Sequence, residues 1–452
     1  MFKIDTELLN ELFDLLNQNM KFLILRNHQG LPESNNAKDV DILIPSDIKP
    51  CQINSIIKEV SASLHASIIW INELDYLSGF VLARQNKNGQ VIYAKLDFFY
   101  GLKWRGVEFI NSSHLLSECI QVKNYYIPAP GHEALIHVLN GALYGKSINK
   151  KYKHLIQQGY FEHSLQFKEL LASSGLNFLN DEVNELLAND TNDKQPVSIL
   201  AFRSKLIKVL IKEQFSFGLI GAFLKSARTE YITRRKFGYL LSFSGPDGAG
   251  KSSIMESVLE FFQLTGICKQ EVAHHFLPVG IPPLHRLLKF NKKLSKQNYT
   301  QPYSEKPVGK ISSVIRFIYY VLAFIFAKYK YLKPQFKQNE VVVFDRYYPD
   351  LIADPTRARL SLNRKVLANV FPRVAAIPDV ALIFVAEPHI LIERKGELSG
   401  DKAKKLVAEY KGICSDKNYT LLENNGSLSQ GLSVCFSLLF EVLNMKNIKK
   451  LK

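Results

Sequence analysis

Residues 239–253 read YLLSFSGPDGAGKSS, a short apolar run that leads into a glycine-rich turn. The turn fits the pattern G-x-x-x-x-G-K-[ST] from Gly245 to Ser252 without a mismatch. Downstream of Lys251, apolar residues recur at helical spacing, at Ile254, Val258, Phe261 and Phe262. This order predicts a buried strand, a tight turn and a helix. We therefore expect the backbone N–H groups of the turn and the helix N-terminus to bind a phosphate chain.

The side chains of this turn point to separate tasks in nucleotide binding. Lys251 is placed to reach the β- and γ-phosphates, and the Ser252 hydroxyl is placed to ligate Mg²⁺. A chance glycine-rich turn is the alternative, and the strand and helix on either side disfavour it. The predicted nucleotide-binding residues are Gly245, Asp247, Gly248, Ala249, Gly250, Lys251, Ser252 and Ser253.

A second motif, VVVFDRYY, occupies residues 341–348. Its continuous apolar run is typical of a parallel strand that is buried on both faces. Asp345 and Arg346 then fall at the carboxyl end of that strand, the edge where open α/β sheets bind ligands. There the carboxylate can orient Mg²⁺ or its water shell, and the arginine can hold a second phosphate. An ordinary Asp-Arg surface pair at a strand end is the alternative interpretation.

A third apolar strand is predicted at 380–385, followed by a helix and the sequence ERKGEL at 393–398. Further lysines follow at Lys402, Lys404 and Lys405. A basic flap over the nucleotide would neutralise charge on the transferring phosphoryl group and exclude water. A solvated basic helix face is the alternative.

Three ordered stretches carry a family resemblance: GPDGAGKSS at 245–253, FDRYYPDLIADPTRAR at 344–359 and ERKGEL at 393–398. Together they resemble the thymidylate-kinase-like P-loop family over 238–445, and most of all its divergent members from bacterial surface-polysaccharide loci. The resemblance implies a parallel sheet flanked by helices, with ATP and Mg²⁺ as cofactors. It also implies site roles: Lys251 and the loop amides on the ATP phosphates, Ser252 on Mg²⁺, Asp247 near the acceptor, Asp345 and Arg346 at the acceptor phosphate and metal, and Arg394 and Lys395 in the lid.

The sequence departs from thymidylate kinases at the acceptor side. Residues 273–278 read AHHFLP where those enzymes carry Arg-Glu-Pro. Asp350, Asp354, Pro355 and Arg357 stand where they carry the residues that shape the thymine pocket. We therefore expect phosphoryl transfer from ATP to a nucleoside monophosphate, a sugar or a polysaccharide precursor, and dTMP is one candidate. The alternative is a nucleotide-binding regulatory or scaffold protein without turnover.

A separate cluster of acids lies near the N-terminus. Asp39 and Asp41 alternate on one predicted strand, so their side chains share a face about 7 Å apart. Asp97 lies on another predicted strand, and three such carboxylates can hold Mg²⁺ for attack on a nucleotide phosphate. Residues 25–41 resemble a nucleotidyltransferase-like domain, although residues 26–28, RNH, replace its usual Gly-Ser turn. Active transfer, ligand binding without turnover, and a purely structural role remain open.

The 452 residues divide by pattern into three regions. Residues 1–128 mix a helix at 5–19 with short β-like runs, which predicts an α+β domain. Residues 129–237 are helical and polar, and residues 238–452 form the P-loop kinase region. A single further strand is expected at 120–127. The chain is thus assigned to the α/β class.

Charge is the global anomaly, since 58 Lys and Arg against 42 Asp and Glu leave a net charge of +16. This surplus predicts an anionic partner, and a generally basic composition unrelated to any partner is the alternative. Residues 198–238 are basic and amphipathic, which fits either an anionic membrane surface or a linker helix packed on a domain. Nucleic acid is disfavoured because no RNA-binding aromatic signature is present. The oligomeric state is left open.

Compartment and membrane topology are predicted from smaller features. The five cysteines are scattered, which favours a reduced cytoplasmic protein, and no secretory signal is visible at the N-terminus. The apolar run at 317–327 is too short to cross a bilayer, which needs about 20 residues. We expect a cytoplasmic protein that could contact the inner membrane face peripherally.

Overall fold

The structure is a computed structural model. It describes residues 2–34, 39–145, 148–188, 199–213, 221, 223–229, 239–267, 271–275, 309–332, 341–395, 399–415 and 419–451. The chain divides into two compact units. The N-terminal unit comprises 2–84, 92–233 and 446–452, and the C-terminal unit comprises 85–91 and 234–445.

The N-terminal unit is built on a mixed sheet of six strands. These are β1 (Lys3–Ile4), β2 (Leu23–Ile24), β3 (Val40–Ile44), β4 (Ser67–Glu73), β5 (Leu77–Gln85) and β6 (Val91–Tyr100). Their order is β2-β3-β6-β5-β4, with β1 pairing parallel to β6. β3 and β6 run parallel, which sets their residues side by side in register.

Two hairpins accompany this sheet: β7 (Leu102–Trp104) with β8 (Val107–Ile110), and β9 (Ile120–Val122) with β10 (Tyr125–Ile127). The expectation of one strand over 120–127 is therefore wrong. The chain reverses at Lys123, whose φ of 54° lies in the left-handed region typical of tight turns.

The first helix, Thr6–Asn19, begins where the sequence predicts it. Asp5 caps it by accepting a hydrogen bond from the Leu8 N–H at 3.1 Å. Its apolar face is buried in the core that the sheet forms with helix Pro50–Ser63. The remaining helices of this unit are Ser112–Ser117, Pro130–Asn140, Lys153–Phe161, Ser164–Ser173, Asn180–Ala188 and Ile199–Glu213, with a π-helix at Gly141–Gly145 and 3₁₀ turns at Lys150–Tyr152 and Asn177–Leu179.

Helix Ile199–Glu213 begins the basic segment 198–238. Its apolar residues Phe202, Leu206 and Leu210 are buried in a second, mainly helical core. This part of the segment thus packs as a linker helix would, with its lysines outward. Residues 198, 214–220, 222 and 230–238 lie outside the described residues.

The C-terminal unit contains a five-stranded parallel sheet. Its strands are β11 (Tyr239–Ser244), β12 (Glu271–His275), β13 (Val341–Asp345), β14 (Val380–Val385) and β15 (Thr420–Glu423). The order β12-β13-β11-β14-β15 puts the first strand in the middle, with β13 and β14 on either side. Because all five run parallel, their carboxyl ends meet at one edge, as the motifs predict.

Helices flank this sheet, and the strands between them are buried along nearly their whole length. The helices are Lys251–Leu264, Lys310–Ala327, Tyr348–Ala353, Arg364–Val374, Pro388–Lys395, Gly400–Ile413 and Leu428–Ile448, with a π-helix at Lys328–Leu332 and a 3₁₀ turn at Pro355–Ala358. The last helix continues into the 446–452 segment of the N-terminal unit, which ends in a 3₁₀ turn at Lys449–Leu451.

Two helical stretches of the described residues are long and apolar enough to cross a membrane, judged by length and composition alone. They are Lys310–Leu332, with a mean hydropathy of 1.6, and Leu428–Leu451, with 1.3. The apolar run at 317–327 underestimates the length of the apolar helix, because apolar residues on both sides of that run belong to the same helix. The most apolar 18-residue stretch of the first span is 22% buried in the protein, and that of the second is 33% buried.

Candidate functional site

The glycine-rich loop connects β11 to helix Lys251–Leu264 and packs directly on the neighbouring strand β14. Gly245 has a φ of 146°, which favours glycine. A Cβ at this position would lie 2.2 Å from the Phe384 carbonyl oxygen. A side chain here would therefore force the loop away from the sheet.

Lys251, the first residue of that helix, points back into the loop and is buried. Its Nζ donates to the carbonyl oxygens of Gly245 at 2.9 Å and Pro246 at 2.7 Å. Burial lowers the pKa of the Lys251 ammonium to about 7, and the like charge of Arg346 acts in the same direction. A phosphate chain in the loop would add to the negative charge that Asp350, Asp247 and Asp345 already exert on this buried amine.

The motif at the end of β13 lies beside the loop. Asp345, the last residue of β13, is in register with Phe243 of β11. Arg346 follows with a φ of 72°, and its backbone N–H donates to the Phe243 carbonyl at 2.9 Å. Its buried guanidinium donates to the Gly245 carbonyl at 3.1 Å, the oxygen that Lys251 also contacts. The two motifs thus meet at one atom.

Asp247, at the tip of the loop, is surrounded by cations. It pairs with Arg346 and with Arg357, each at 2.5 Å, and Lys395 lies 3.8 Å away. Burial alone would raise the pKa of Asp247, but the two guanidinium groups outweigh it and hold the pKa below its usual range. Three cations around one carboxylate form a surface suited to an anionic ligand.

Asp350 contacts both the loop and Arg346. In the sequence it stood out only as a departure from thymidylate kinases. Its buried carboxylate accepts from the Gly245 N–H at 3.3 Å, from Arg346 at 2.9 Å and from the Tyr410 hydroxyl at 2.6 Å. The sequence did contain one signal for this contact: Asp350 follows Arg346 by four residues, a spacing that brings side chains together on a helix. Asp350 therefore positions both the loop and the arginine.

The two predicted lid residues lie on helix Pro388–Lys395 and differ in their contacts. Lys395 approaches Asp247, whereas Arg394 donates to the backbone carbonyls of Asn424 at 3.0 Å and Gly426 at 2.8 Å. Arg394 thus braces the segment after β15, and Lys395 faces the charged cluster. Residues 396–398 of the predicted lid lie outside the described residues, as do the side chains of His274 and His275.

The loop also offers oxygen ligands suited to Mg²⁺. The side chains of Ser252 and Ser253 are exposed at the N-terminus of the helix that follows the loop, and Asp345 is partly exposed. The negative charge of Asp345 acts on both Lys251 and Arg346. A hydroxyl and a carboxylate at one sheet edge are the hard oxygen donors that Mg²⁺ prefers, so these residues fit the ion.

The three N-terminal acids also come together. Asp41 of β3 lies opposite Asp97 of β6 in the parallel register, and carboxylate oxygens of Asp39, Asp41 and Asp97 lie within 4.8 Å of one another. Gly79 leaves the space that Asp97 fills, since a Cβ there would lie 2.7 Å from Asp97 Oδ1. The donor set, three carboxylates with one buried, fits a divalent cation.

Two cations of the described residues lie beside this cluster. Arg26 pairs with Asp41, and Lys95 lies 3.7 Å from Asp39. Burial raises the pKa of Asp97 to about 7, and burial raises that of Asp41 despite the attraction of Arg26. Burial thus disfavours the charged forms of Asp41 and Asp97, and a divalent cation held by the cluster would offset that cost.

The RNH segment that replaces the usual Gly-Ser turn is anchored by the helical region of the same unit. Asn27 accepts hydrogen bonds from Lys151 at 2.9 Å and from the Tyr152 hydroxyl at 3.1 Å. His28 lies 3.3 Å from Glu133 of helix Pro130–Asn140. The predicted helical extension thus contributes to the border of the carboxylate cluster, a role that the sequence did not indicate.

Comparisons with known proteins point to one enzyme. No protein-family model matches the chain. It is 24% identical over 221 residues to a thymidylate kinase of Finegoldia magna, a match that covers 46% of this chain and 98% of that protein. It is 22% identical over 157 residues to a thymidylate kinase of Lactobacillus delbrueckii subsp. bulgaricus, covering 33% of this chain and 65% of that protein.

Among solved structures, a thymidylate kinase from Ehrlichia chaffeensis aligns with 48% of this chain and 100% of its own. The alignment has 15% sequence identity and a TM-score of 0.30. The chain thus has weak sequence homology to thymidylate kinase over less than half of its length, which suggests a nucleotide kinase.

Proposed function

We propose that the C-terminal unit is an ATP- and Mg²⁺-dependent phosphotransferase whose acceptor is a nucleoside monophosphate or a phosphorylated sugar or polysaccharide precursor. One observation carries the proposal: Lys251 and Arg346 both donate to the Gly245 carbonyl oxygen. A nucleotide-binding lysine and an arginine for a second phosphate therefore lie on two sides of one loop.

The proposed reaction depends on positioning and on charge. The loop amides and Lys251 hold the triphosphate of ATP in line with the acceptor. Ser252 and Asp345 would hold Mg²⁺, which would supply positive charge beside the transferring group. Arg346 stabilises the developing negative charge from the acceptor side, and Asp350 keeps it in place.

The cations around Asp247 support an acceptor that is itself anionic. Arg346, Arg357 and Lys395 lie around Asp247, and Arg346 also pairs with Asp350. An acceptor phosphate would bring further negative charge to these three cations. Arg357 lies in the part of the chain that departs from the thymine-pocket sequence. We therefore keep dTMP as one acceptor among several, alongside other nucleoside monophosphates and sugar phosphates.

Transfer of label from γ-labelled ATP across an acceptor panel tests this function. We expect a labelled product with Mg²⁺ on at least one anionic acceptor. Asp345→Asn should slow its formation by about a hundredfold, because charge stabilisation of this kind is worth that much. Asp401→Asn, an exposed acid on a neighbouring helix, is the matched control. Tight ATP binding without any labelled acceptor would instead favour a regulatory or scaffold protein.

We also propose that the N-terminal unit binds a divalent cation at Asp39, Asp41 and Asp97, as a nucleotidyltransferase-like domain would. The close approach of three carboxylate oxygens supports this second function. Arg26, which pairs with Asp41, supports this second function less directly. Its guanidinium lies beside the acids and can also contact a nucleotide phosphate.

Manganese titration without nucleotide tests the carboxylate site separately from the kinase site. We expect the full chain to bind Mn²⁺, with Asp41→Asn weakening the affinity at least about tenfold because one charged ligand is lost. Saturating Mn²⁺ should also raise the unfolding temperature by about 5 °C. Glu59→Gln, an exposed acid of the same unit, is the control. Equal binding by Asp41→Asn and wild type would remove these acids from a metal role.

A further inference from the structure

Helix Lys310–Ala327 and the π-turn after it leave an apolar stripe exposed. The apolar stripe consists of Ile311, Ile315, Ile318, Leu322, Phe326 and Tyr329, which are between 47% and 80% exposed. The five positions on the α-helix fall within a sector of about 80° at 3.6 residues per turn and extend over about 22 Å, and Tyr329 lies in the π-helical turn that follows. Part of the stripe lines an apolar groove of about 550 Å³. An apolar surface of this length is costly to leave in water.

The opposite side of this helix is fixed to the C-terminal unit. Ser313 and Phe324 are buried. The Phe324 ring packs 5.5 Å from Tyr347 and 5.5 Å from Phe371, measured between ring centroids. Because protein already covers one face of this helix, we infer that the helix lies on a surface and does not cross a bilayer.

Charge around the stripe distinguishes between the surfaces that could cover it. Residues 306–339 contain seven Lys and Arg and no Asp or Glu. Lys310 and Lys330 are exposed at the two ends of the stripe. Two copies of this chain paired through the stripe would bring like charges together with no acid on the helix to offset them. An anionic surface is complementary to the same residues.

Tyrosines add to this pattern. Tyr319 and Tyr329 line the groove beside the stripe, and tyrosine is enriched where proteins meet the headgroup layer of a membrane. Long lysine side chains at the ends of an apolar face can extend their charge into that layer.

We propose that the apolar stripe docks this protein onto a membrane that carries anionic lipids. The stripe inserts among the lipid chains near the surface, and the flanking lysines contact the headgroups. Because Phe324 packs on Tyr347, the residue after Arg346, the docked helix is directly attached to the phosphate-binding element of the unit. The proposal does not depend on kinase activity.

Vesicle sedimentation of the full chain tests the proposal. We expect binding to vesicles of equal parts phosphatidylglycerol and phosphatidylcholine, and much weaker binding to phosphatidylcholine alone. The double variant Ile318→Glu, Leu322→Glu should bind the anionic vesicles at least tenfold more weakly. Val366→Glu, Ile377→Glu alters two exposed apolar residues elsewhere in the same unit and should bind like wild type. Both pairs are exposed, so circular dichroism should show unchanged folding.

A second variant keeps the test valid if the first fails to fold. Lys310→Glu, Lys330→Glu reverses the charge at both ends and should also weaken binding to anionic vesicles. Wild type that does not bind anionic vesicles, or control and stripe variants that bind equally, would overturn the proposal. So would a wild-type dimer that the stripe variant converts to monomer in sedimentation velocity, with no vesicle binding, since a second copy would then cover the stripe.

Discussion

Lys251→Ala should reduce the rate of phosphoryl transfer by at least about a thousandfold while the chain stays folded. Removal of a single donor that stabilises charge in a transition state costs 10² to 10³, and Lys251 also orders the loop. In the structure its ammonium bridges the carbonyls of Gly245 and Pro246, at the centre of the glycine turn. Initial rates with γ-labelled ATP and the best acceptor measure the effect.

Two controls separate this loss from a general defect. Lys365→Ala removes an exposed lysine from helix Arg364–Val374 and should leave the rate unchanged. The unfolding temperature of Lys251→Ala should stay within a few degrees of wild type, because loss of a buried ammonium also removes its desolvation cost. A variant that transfers phosphate at the wild-type rate would exclude Lys251 from the mechanism.

Asp350→Asn should lower the unfolding free energy of the C-terminal unit by about 3 kcal/mol, the range found when one partner of a buried ion pair is lost. Asn has nearly the same shape but no charge, so the buried guanidinium of Arg346 would lose its neutralising partner. The Asn amide would also direct donors at groups that are donors themselves. Urea denaturation followed by circular dichroism measures the change.

A graded series checks that the carboxylate charge causes the effect. Tyr410→Phe removes one hydrogen bond to Asp350 and should cost about 1.5 to 3 kcal/mol, less than loss of the charge. Asp401→Asn, which changes an exposed acid, should cost less than about 0.5 kcal/mol. If Asp350→Asn is no less stable than Asp401→Asn, the carboxylate does not hold Arg346 as described. Transfer assays on the same variants then show whether displaced Arg346 also slows catalysis.

Local pattern was sufficient for the phosphate-binding loop. The strand before Gly245 and the helix after Lys251 follow from side-chain periodicity, and the φ of 146° at Gly245 explains the residue type. Parallel strands end at one edge, so the proximity of Asp345 to the loop was also predictable. In the N-terminal unit, period two predicted Asp39 and Asp41 together on one strand, but β3 begins at Val40 and Asp39 lies one residue before it. The two carboxylates nevertheless come close together, as expected.

Other features depend on contacts between distant parts of the chain. The hairpin at 120–127 required a turn at Lys123 that the apolar pattern did not reveal. Asp350 and Arg357 approach the loop across about a hundred residues of sequence, at distances that only the packed sheet and its helices set. The anchoring of Asn27 by Tyr152 likewise joins two regions that were treated separately.

Periodicity and residue type thus sufficed for the loop, the strand ends and the acid pair, because each depends on neighbours in the chain. The tertiary structure decides which residues pair with buried charges and which apolar helix faces are covered by protein. Helices Ile199–Glu213 and Lys310–Ala327 are both apolar and basic, yet the first buries its apolar residues and the second exposes them. Burial depends on the parts of the fold that pack around a helix, and the sequence of the helix alone does not specify them.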